Sequence, residues 1–339
     1  MSLWTDNLLQ DLFLKNTPLI DVRAPTEFIE GAIPNSINLP LLNDEERHSI
    51  GICYKTHGQS AALELGHQLV SGDIKNKRIE AWLNFIKANQ GAEVFCFRGG
   101  LRSQISCEWI NQKGMDQSPI PGGYKRLRQF FLSWLNEAPL PSFFRLGGLT
   151  GSGKTNLLQR LTHHVDIEGL ANHRGSAFGT MGKQPAQITF ENLLGLSLLK
   201  HQSRMIVEDE SVTLGKLTIP LRFFKHMNES PLAILRCPQD NRITNIYEDY
   251  VLNQEAAFFL NATQSISKKL GGVRSAKLLE KISQSFQLEK KISNHQEWIS
   301  TFLLEYYDPL YNKSLLRHKD LIVFEGHAEE IKHWWQNRK

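Results

Sequence analysis

A chain of 339 residues with 41% hydrophobic and 22% charged positions is long for a single core and too ordinary in make-up for a disordered or low-complexity protein, so two globular domains are expected. Lys and Arg outnumber Asp and Glu by 39 to 35, a mild excess that permits a nucleic-acid partner without being the footprint of one. The four cysteines, Cys53, Cys96, Cys107 and Cys237, form no C-x-x-C pair; with no secretory leader and no membrane-length apolar run in view, the expectation is a reduced, cytoplasmic protein without a zinc site or membrane span.

Along the chain, Pro18-Leu19-Ile20-Asp21-Val22 and Ser36-Ile37-Asn38-Leu39 read as short strands. Ala61 to Val70 and Ile79 to Ala88 have helical spacing. Glu93-Val94-Phe95-Cys96 is a strand running into a Gly-rich loop, and Ser103 to Gln112 is a helix. This β-α alternation predicts a parallel sheet. Pro139-Leu140-Pro141 interrupts the pattern, which places a boundary between a domain over 1–137 and another over 138–339. The second restarts with the strand Phe143-Phe144-Arg145-Leu146, a second Gly-rich loop and a helical pattern over Asn156 to Leu161. Strands follow at Met205-Ile206-Val207 and Ala233-Ile234-Leu235. Long helical patterns run over roughly 241–270 and 275–304, before a strand at Leu321-Ile322-Val323-Phe324 and a final helix.

The first loop is Cys96-Phe97-Arg98-Gly99-Gly100-Leu101-Arg102-Ser103. A cysteine between a strand end and a helix start is favoured as thiolate by the helix N-terminus and by nearby arginines. Gly99 and Gly100 let successive backbone N–H groups turn inward as an anion-binding nest. Cys96 with Arg98, Gly99, Gly100 and Arg102 is therefore the candidate catalytic loop, able to hold a charged Cys–S–S⁻ or Cys–S–Se⁻ group; the other cysteines lack such a setting. The passage resembles the active-site loop of the rhodanese sulfurtransferases. Asp21-Val22-Arg23, Glu27-Phe28, Gly31-Ala32-Ile33-Pro34 and Asn38-Leu39-Pro40 resemble that family's entry pattern. The resemblance implies a cysteine that carries a chalcogen. The five residues between Cys96 and Arg102, where many single-domain rhodaneses have four, favour a substrate with a tetrahedral phosphate-like group over thiosulfate.

The second loop, Gly148-Leu149-Thr150-Gly151-Ser152-Gly153-Lys154-Thr155, fits G-x-x-x-x-G-K-[ST] between a strand and a helix. Gly148, Gly151, Ser152 and Gly153 expose backbone N–H groups to phosphate, Lys154 adds a point charge and Thr155 can reach a Mg²⁺. An acid from Glu208-Asp209-Glu210, after the Met205-Ile206-Val207 strand, is the candidate partner for that metal; the sequence leaves open which one. Asp166 to Ser176 reads as a polar, Gly-punctuated loop, either an exposed connection or a substrate loop presenting Asn172, His173 and Arg174.

Fused in this order, the two motifs resemble the tRNA 2-selenouridine synthase family over nearly the whole chain. Asp44-Glu45-Glu46-Arg47, Gly51-Ile52-Cys53-Tyr54-Lys55, Leu65-Gly66-His67, Gly122-Gly123-Tyr124-Lys125, Glu168 to Ser176, Val207 to Ser211 and Tyr306-Tyr307-Asp308-Pro309 carry the likeness beside the two loops. It implies an α/β fold: a rhodanese-like parallel-sheet domain, then a P-loop NTPase-like α/β domain with added C-terminal helices. It also implies replacement of the sulfur of 2-thiouridine at the tRNA wobble position by selenium from selenophosphate, through S-geranylation with geranyl diphosphate. Cys96 would carry selenium, the P-loop would bind the diphosphate of geranyl diphosphate or else ATP, and Gly66 would matter for close approach of substrate. Lys125, Arg126 and Arg128, and Lys268, Lys269, Arg274, Lys277 and Lys281, are candidate tRNA contacts. Two other readings stand beside this one: a sulfurtransferase coupled to an NTPase that activates another acceptor, and a non-catalytic nucleotide-sensing module.

Overall fold

The computed structural model describes residues 5–175, 179 and 182–338, and the chain divides into two compact units. The first holds residues 1–139 together with 185–200; the second holds 140–184 and 201–339.

In the first unit, strands β1 (Leu19–Asp21), β2 (Ser36–Asn38) and β3 (Glu93–Phe95) form a parallel sheet in the order β2-β1-β3. The central β1 is buried along its length, as the middle strand of a covered parallel sheet must be. Asp21 lies inside that core because Arg23 neutralises it: Arg23 Nη2 donates to Asp21 Oδ2 at 2.6 Å and to the Gly31 carbonyl at 2.8 Å. The arginine also lies over the Tyr124 ring, 3.7 Å from its centroid. The helix Leu101–Asn111 follows β3 across the Cys96 loop, and Gly123–Asn136 closes the unit with an apolar face of Tyr124, Leu127, Phe130 and Phe131.

A helix from the second half of the sequence packs on that face. Gln187–Lys200 contributes Leu196 and Leu199 to the core formed by Phe13, Leu127 and Phe131. Buried Asn192 fixes it in place, donating to the Ala32 carbonyl at 2.7 Å and accepting from Arg128 Nη1 at 2.7 Å. A single cut after residue 137 does not describe this arrangement, because the chain passes from one unit to the other after Pro139, after Gln184 and after Lys200. Its apolar residues look like those of any buried helix, and nothing in their spacing says which core they enter.

The second unit is built on a five-stranded sheet in the order β10-β9-β4-β6-β5, every neighbouring pair parallel. Its strands are β4 (Ser142–Gly148), β5 (His164–Val165), β6 (Arg204–Glu208), β9 (Leu232–Leu235) and β10 (Ile322–Gly326). A small hairpin, β7 (Thr213–Leu214) with β8 (Leu217–Thr218), lies outside it. The expected long helices are shorter in the fold. Residues 241–270 divide among Gln239–Ile246, a π-helical turn Tyr247–Val251, Ala256–Ser265 and Ser267–Leu270. The 275–304 pattern falls in Gly272–Gln287, Ile292–Phe302 and a second π-helical turn, Leu303–Tyr307. Their apolar sides meet in an aromatic core around Phe259, Trp298 and Phe302. No helix among the described residues is long and apolar enough to cross a membrane.

Because Leu196 and Leu199 complete the first unit's core, a 1–139 fragment is expected to aggregate, whereas the same fragment joined by a flexible linker to 185–200 is expected to stay monomeric. Analytical ultracentrifugation distinguishes the two. In the full chain, Asn192→Ala removes two buried hydrogen bonds and is expected to lower stability by about 1–3 kcal/mol, read from urea denaturation.

Candidate functional site

The Cys96 loop is held by backbone bonds from a second turn. Tyr124 N donates to the Cys96 carbonyl at 2.8 Å and Lys125 N to the Phe97 carbonyl at 3.0 Å. The approach is so close that a Cβ on Gly123 would lie 2.1 Å from the Cys96 oxygen, and one on Gly99 would lie 2.8 Å from Gly122 N. Gly99, Gly122 and Gly123 have φ of +67°, +78° and +52°, a region open to glycine at little cost. Gly122 and Gly123 carry part of the family likeness in the sequence; their role as the clamp on the cysteine loop was not legible there.

Cys96 is 3% exposed. Its Sγ lies 3.1 Å from the Ser103 hydroxyl and 3.7 Å from the Gly100 carbonyl. A neutral thiol can therefore point at the carbonyl, and a thiolate can accept from Ser103. The two arginines of the loop have different places. Arg102 forms a bidentate pair with Glu27, Nη1 to Oε2 at 2.5 Å and Nη2 to Oε1 at 3.1 Å. Burial alone would push the Glu27 carboxyl up, but the Arg102 hydrogen bonds and charge, aided by the Ala24 N–H and Arg47, bring it below its ordinary value. Arg102 is thus anchored by Glu27 rather than free in an anion cradle. Arg98 is exposed and sits against the Phe97 ring, 5.7 Å from its centroid. Cys107, by contrast, is pushed up to about 12 by burial, which leaves it an inert thiol.

In the second unit the P-loop follows β4 and leads into the short helix Lys154–Leu158. Two of its carbonyls are tied from outside, Thr150 O by Arg242 Nε at 2.9 Å and Gly151 O by Asn245 Nδ2 at 2.8 Å, while Gly148 O accepts from the loop's own Lys154 Nζ at 2.9 Å. Because C=O and N–H point opposite ways in a trans peptide, the two outside bonds turn the amides of residues 151 and 152 the other way, the latter onto the Leu149 carbonyl at 3.1 Å. Arg242 is in turn held by Asp308 through bonds of 3.0 and 2.6 Å. Ser152 Oγ is buried without a partner among the described residues.

The three acids after β6 separate. Glu208 Oε1 accepts from Thr155 Oγ1 at 2.9 Å. Asp209 pairs with the buried Arg145 at 2.9 Å and takes no part in the phosphate cavity. Glu210 lines that cavity, of about 280 Å³, with Lys154, Thr155, Arg174 and Glu168. Glu168 is the acid that sequence reasoning passed over. It lies 3.5 Å from Thr155 Oγ1, and its backbone N–H donates to Glu208. Burial, and then the Glu168 and Asp166 charges, push Glu208 up to about 8; burial and Glu168 likewise raise Glu210.

The expected polar loop over 166–176 contains a helical turn, Ile167–Ala171, ended by Asn172 in the left-handed conformation at φ 47°. Asn172 Nδ2 bonds the Lys183 carbonyl at 3.1 Å, and neither it nor His173 lines the phosphate cavity, whereas Arg174 does. Asn172 is thus a helix-ending residue. Ser176 lies outside the described residues. Arg174 lies over the Tyr250 ring at 4.6 Å and 3.7 Å from Asp249. Gly66 is remote in sequence from either loop; it lines a separate cavity beside Arg102. Of the candidate tRNA contacts, Arg126, Arg128, Arg274 and Lys281 are paired with Asp6, Glu191, Glu305 and Glu297. Lys125, Lys268, Lys269 and Lys277 have no ion pair among the described residues.

Among the described residues no three or more His, Cys, Asp or Glu side chains form a metal site by themselves. The hydroxyl of Thr155 with the Glu208 and Glu168 carboxylates instead fits a hard cation that takes its other ligands from phosphate and water.

A family model for the tRNA 2-selenouridine synthase AAA domain matches residues 141–339, and one for the rhodanese-like domain matches residues 4–104. A protein of Marinobacter nauticus named tRNA 2-selenouridine synthase is 44% identical over 98% of this chain and 98% of its own. Proteins of the same name from Shewanella woodyi and Shewanella denitrificans are 41% and 42% identical, covering 96% and 95% of this chain and 95% of each of their own.

Two outcomes are expected. Gly123→Ala is expected to disrupt the Cys96 loop, with a stability loss of about 4 kcal/mol or more in urea denaturation and raised reactivity of Cys96 toward iodoacetamide. Because Glu208 takes up its proton more readily folded than unfolded, stability of the unliganded chain is greatest below pH 4.5 as far as this group is concerned and is lost as pH rises to about 8. Glu208→Gln is expected to flatten that slope, by up to about 1.4 kcal/mol per pH unit, in thermal melts from pH 5 to 8.

Proposed function

Because the chain belongs to the tRNA 2-selenouridine synthase family, we propose that it replaces the sulfur of 2-thiouridine at the tRNA wobble position by selenium, with selenophosphate as donor and S-geranylation as the enabling step. A thione sulfur is a poor leaving group. Attack of that sulfur on C1 of geranyl diphosphate forms a C–S bond, releases diphosphate and, with loss of the N3 proton, leaves a thioether. The selenium of selenophosphate, held against Cys96, then attacks C2 and expels the geranyl thiolate. Water then cleaves the remaining phosphorus–selenium bond, which releases phosphate and frees the selenium-bearing base. Two easier displacements replace one difficult one, as in other covalent catalysis.

The observation that carries this reading is the joining of a shielded chalcogen-type cysteine, Cys96 beside Ser103, with an intact P-loop whose Thr150 and Gly151 carbonyls are held by Arg242 and Asn245. In the first unit, Arg98 and the amides of the 97–101 loop would hold selenophosphate, each charge-assisted bond contributing roughly 1.5–3 kcal/mol, while Arg102 braces the loop through Glu27. In the second, Lys154 and Arg174 would face the diphosphate. Thr155, Glu208 and Glu168 would take a Mg²⁺, which supplies charge neutralisation of the departing phosphate.

Mass spectrometry of digested tRNA tests the assignment. In the reconstituted reaction, Cys96→Ser is expected to abolish 2-selenouridine while S-geranyl-2-thiouridine persists, and Lys154→Ala is expected to reduce geranylation first, by at least about tenfold in kcat/KM. Equal loss of both products in a folded Cys96→Ser protein would contradict the division of labour. ATP turnover with sulfur transfer from thiosulfate would favour an NTPase-coupled sulfurtransferase instead.

A further inference from the structure

The first unit holds a cavity of about 430 Å³ that the proposed chemistry has not yet used. It exists because the helix Asp44–Leu69 is broken at Gly58, where φ is +84°. The segments before and after the break both line the cavity, with Leu42, Ile50, Ala62, Val70, Ile105 and Trp109 among its walls. Gly66 lines it too, and a Cβ there would come within 3.5 Å of Ile50 Cδ1. The volume lies within the roughly 300–1,000 Å³ of small-molecule sites. Lys55 brings positive charge to the same cavity, whose wall also includes Arg47 and Arg102, both paired with Glu27.

Two observations join this cavity to the cysteine loop. Leu101 and Arg102, the first residues of the helix that follows Cys96, form part of its wall. Arg102 is also close enough to Cys96 to be influenced by its charge. An apolar well with cations among its walls is complementary to an apolar chain carried by a polyanion. Attack at C2 by selenium held at the Cys96 loop requires the ten-carbon chain of the alkylated base to lie beside that loop, and water is a poor medium for it.

We propose that this cavity is the subsite for the prenyl chain of the S-geranylated wobble base during selenium transfer, with Lys55 facing the RNA phosphates. The inference rests on the reading that a geranylated tRNA is the intermediate. It gives the first unit a chain-length preference of its own, separate from binding of geranyl diphosphate in the second unit. Each CH₂ group buried in such a well is worth on the order of fourfold in affinity.

The test supplies the full-length enzyme with selenophosphate, a thiol and anticodon stem-loop RNAs whose 2-thiouridine bears S-methyl, S-prenyl (five carbons), S-geranyl or S-farnesyl groups. Formation of 2-selenouridine is followed by mass spectrometry. The expected result is that kcat/KM rises at least about tenfold from methyl to geranyl and not further to farnesyl. Ala62→Trp, which fills the well, is expected to bring the geranyl-to-methyl ratio toward one. Ala62→Leu, a smaller filling that the fold tolerates more readily, is expected to move the optimum toward five carbons. A wild-type enzyme that converts all four RNAs equally well overturns the subsite while leaving the geranylated intermediate standing. So does a folded Ala62 variant that raises KM for geranyl diphosphate and leaves the ratio intact. If no S-alkylated RNA is converted, the geranylated intermediate itself falls, and the subsite with it.

Discussion

Both loops depend on the same constraint: carbonyl oxygens that would face an anion are bonded away from it. In the first unit, Tyr124 and Lys125 amides take the Cys96 and Phe97 carbonyls. In the second, Arg242 and Asn245 take those of Thr150 and Gly151. The planarity of the trans peptide converts each such bond into an amide directed the opposite way. The orientation of these groups is settled in folding, so little remains to be reorganised when charge arrives. The glycines are needed less for softness than for close contact, since the clamp that holds the Cys96 loop leaves no room for a Cβ at Gly123.

The partners that hold the loops explain why motifs were legible and their supports were not. Cys96, the P-loop and the strands leading into them are local patterns, and strand β3 and strand β4 lie where the apolar runs indicated. Arg242 and Asp308, or Arg102 and Glu27, are 66 and 75 residues apart. Single charged residues of this kind look the same in sequence whether they are buried braces or solvated surface. The same blindness applies to Glu208-Asp209-Glu210, where Asp209 turns to Arg145 while Glu208 and Glu210 share the cluster with Glu168, because successive residues at a strand end point to different sides. The helix Gln187–Lys200 is the extreme case, legible as a helix but not as a part of the first unit.

Electrostatically the two loops are opposites. Around Thr155, the carboxylates of Glu168, Glu208 and Glu210 crowd together, and burial with mutual repulsion favours the protonated forms of Glu208 and Glu210. Such a cluster is relieved by cations, which suits a site that takes its phosphate with a metal. Around Cys96 the excess runs the other way. Glu27 is flanked by Arg102 and Arg47, and its carboxylate is stabilised as an anion despite partial burial.

That pairing bears on how a selenium donor could be held. An arginine committed to a carboxylate on two sides cannot also grip a tetrahedral anion with the same fork. Arg102 therefore acts on Cys96 at a distance, by charge, and by fixing the first turn of the helix whose N-terminus faces the loop. On the proposed reading, direct contact with the donor would fall to the exposed Arg98 and to the amides that the clamp has turned outward. A wide cradle of amides with one mobile cation suits a donor that must arrive, surrender its selenium and leave as a smaller fragment, because the contacts to backbone persist while the arginine can follow the departing charge.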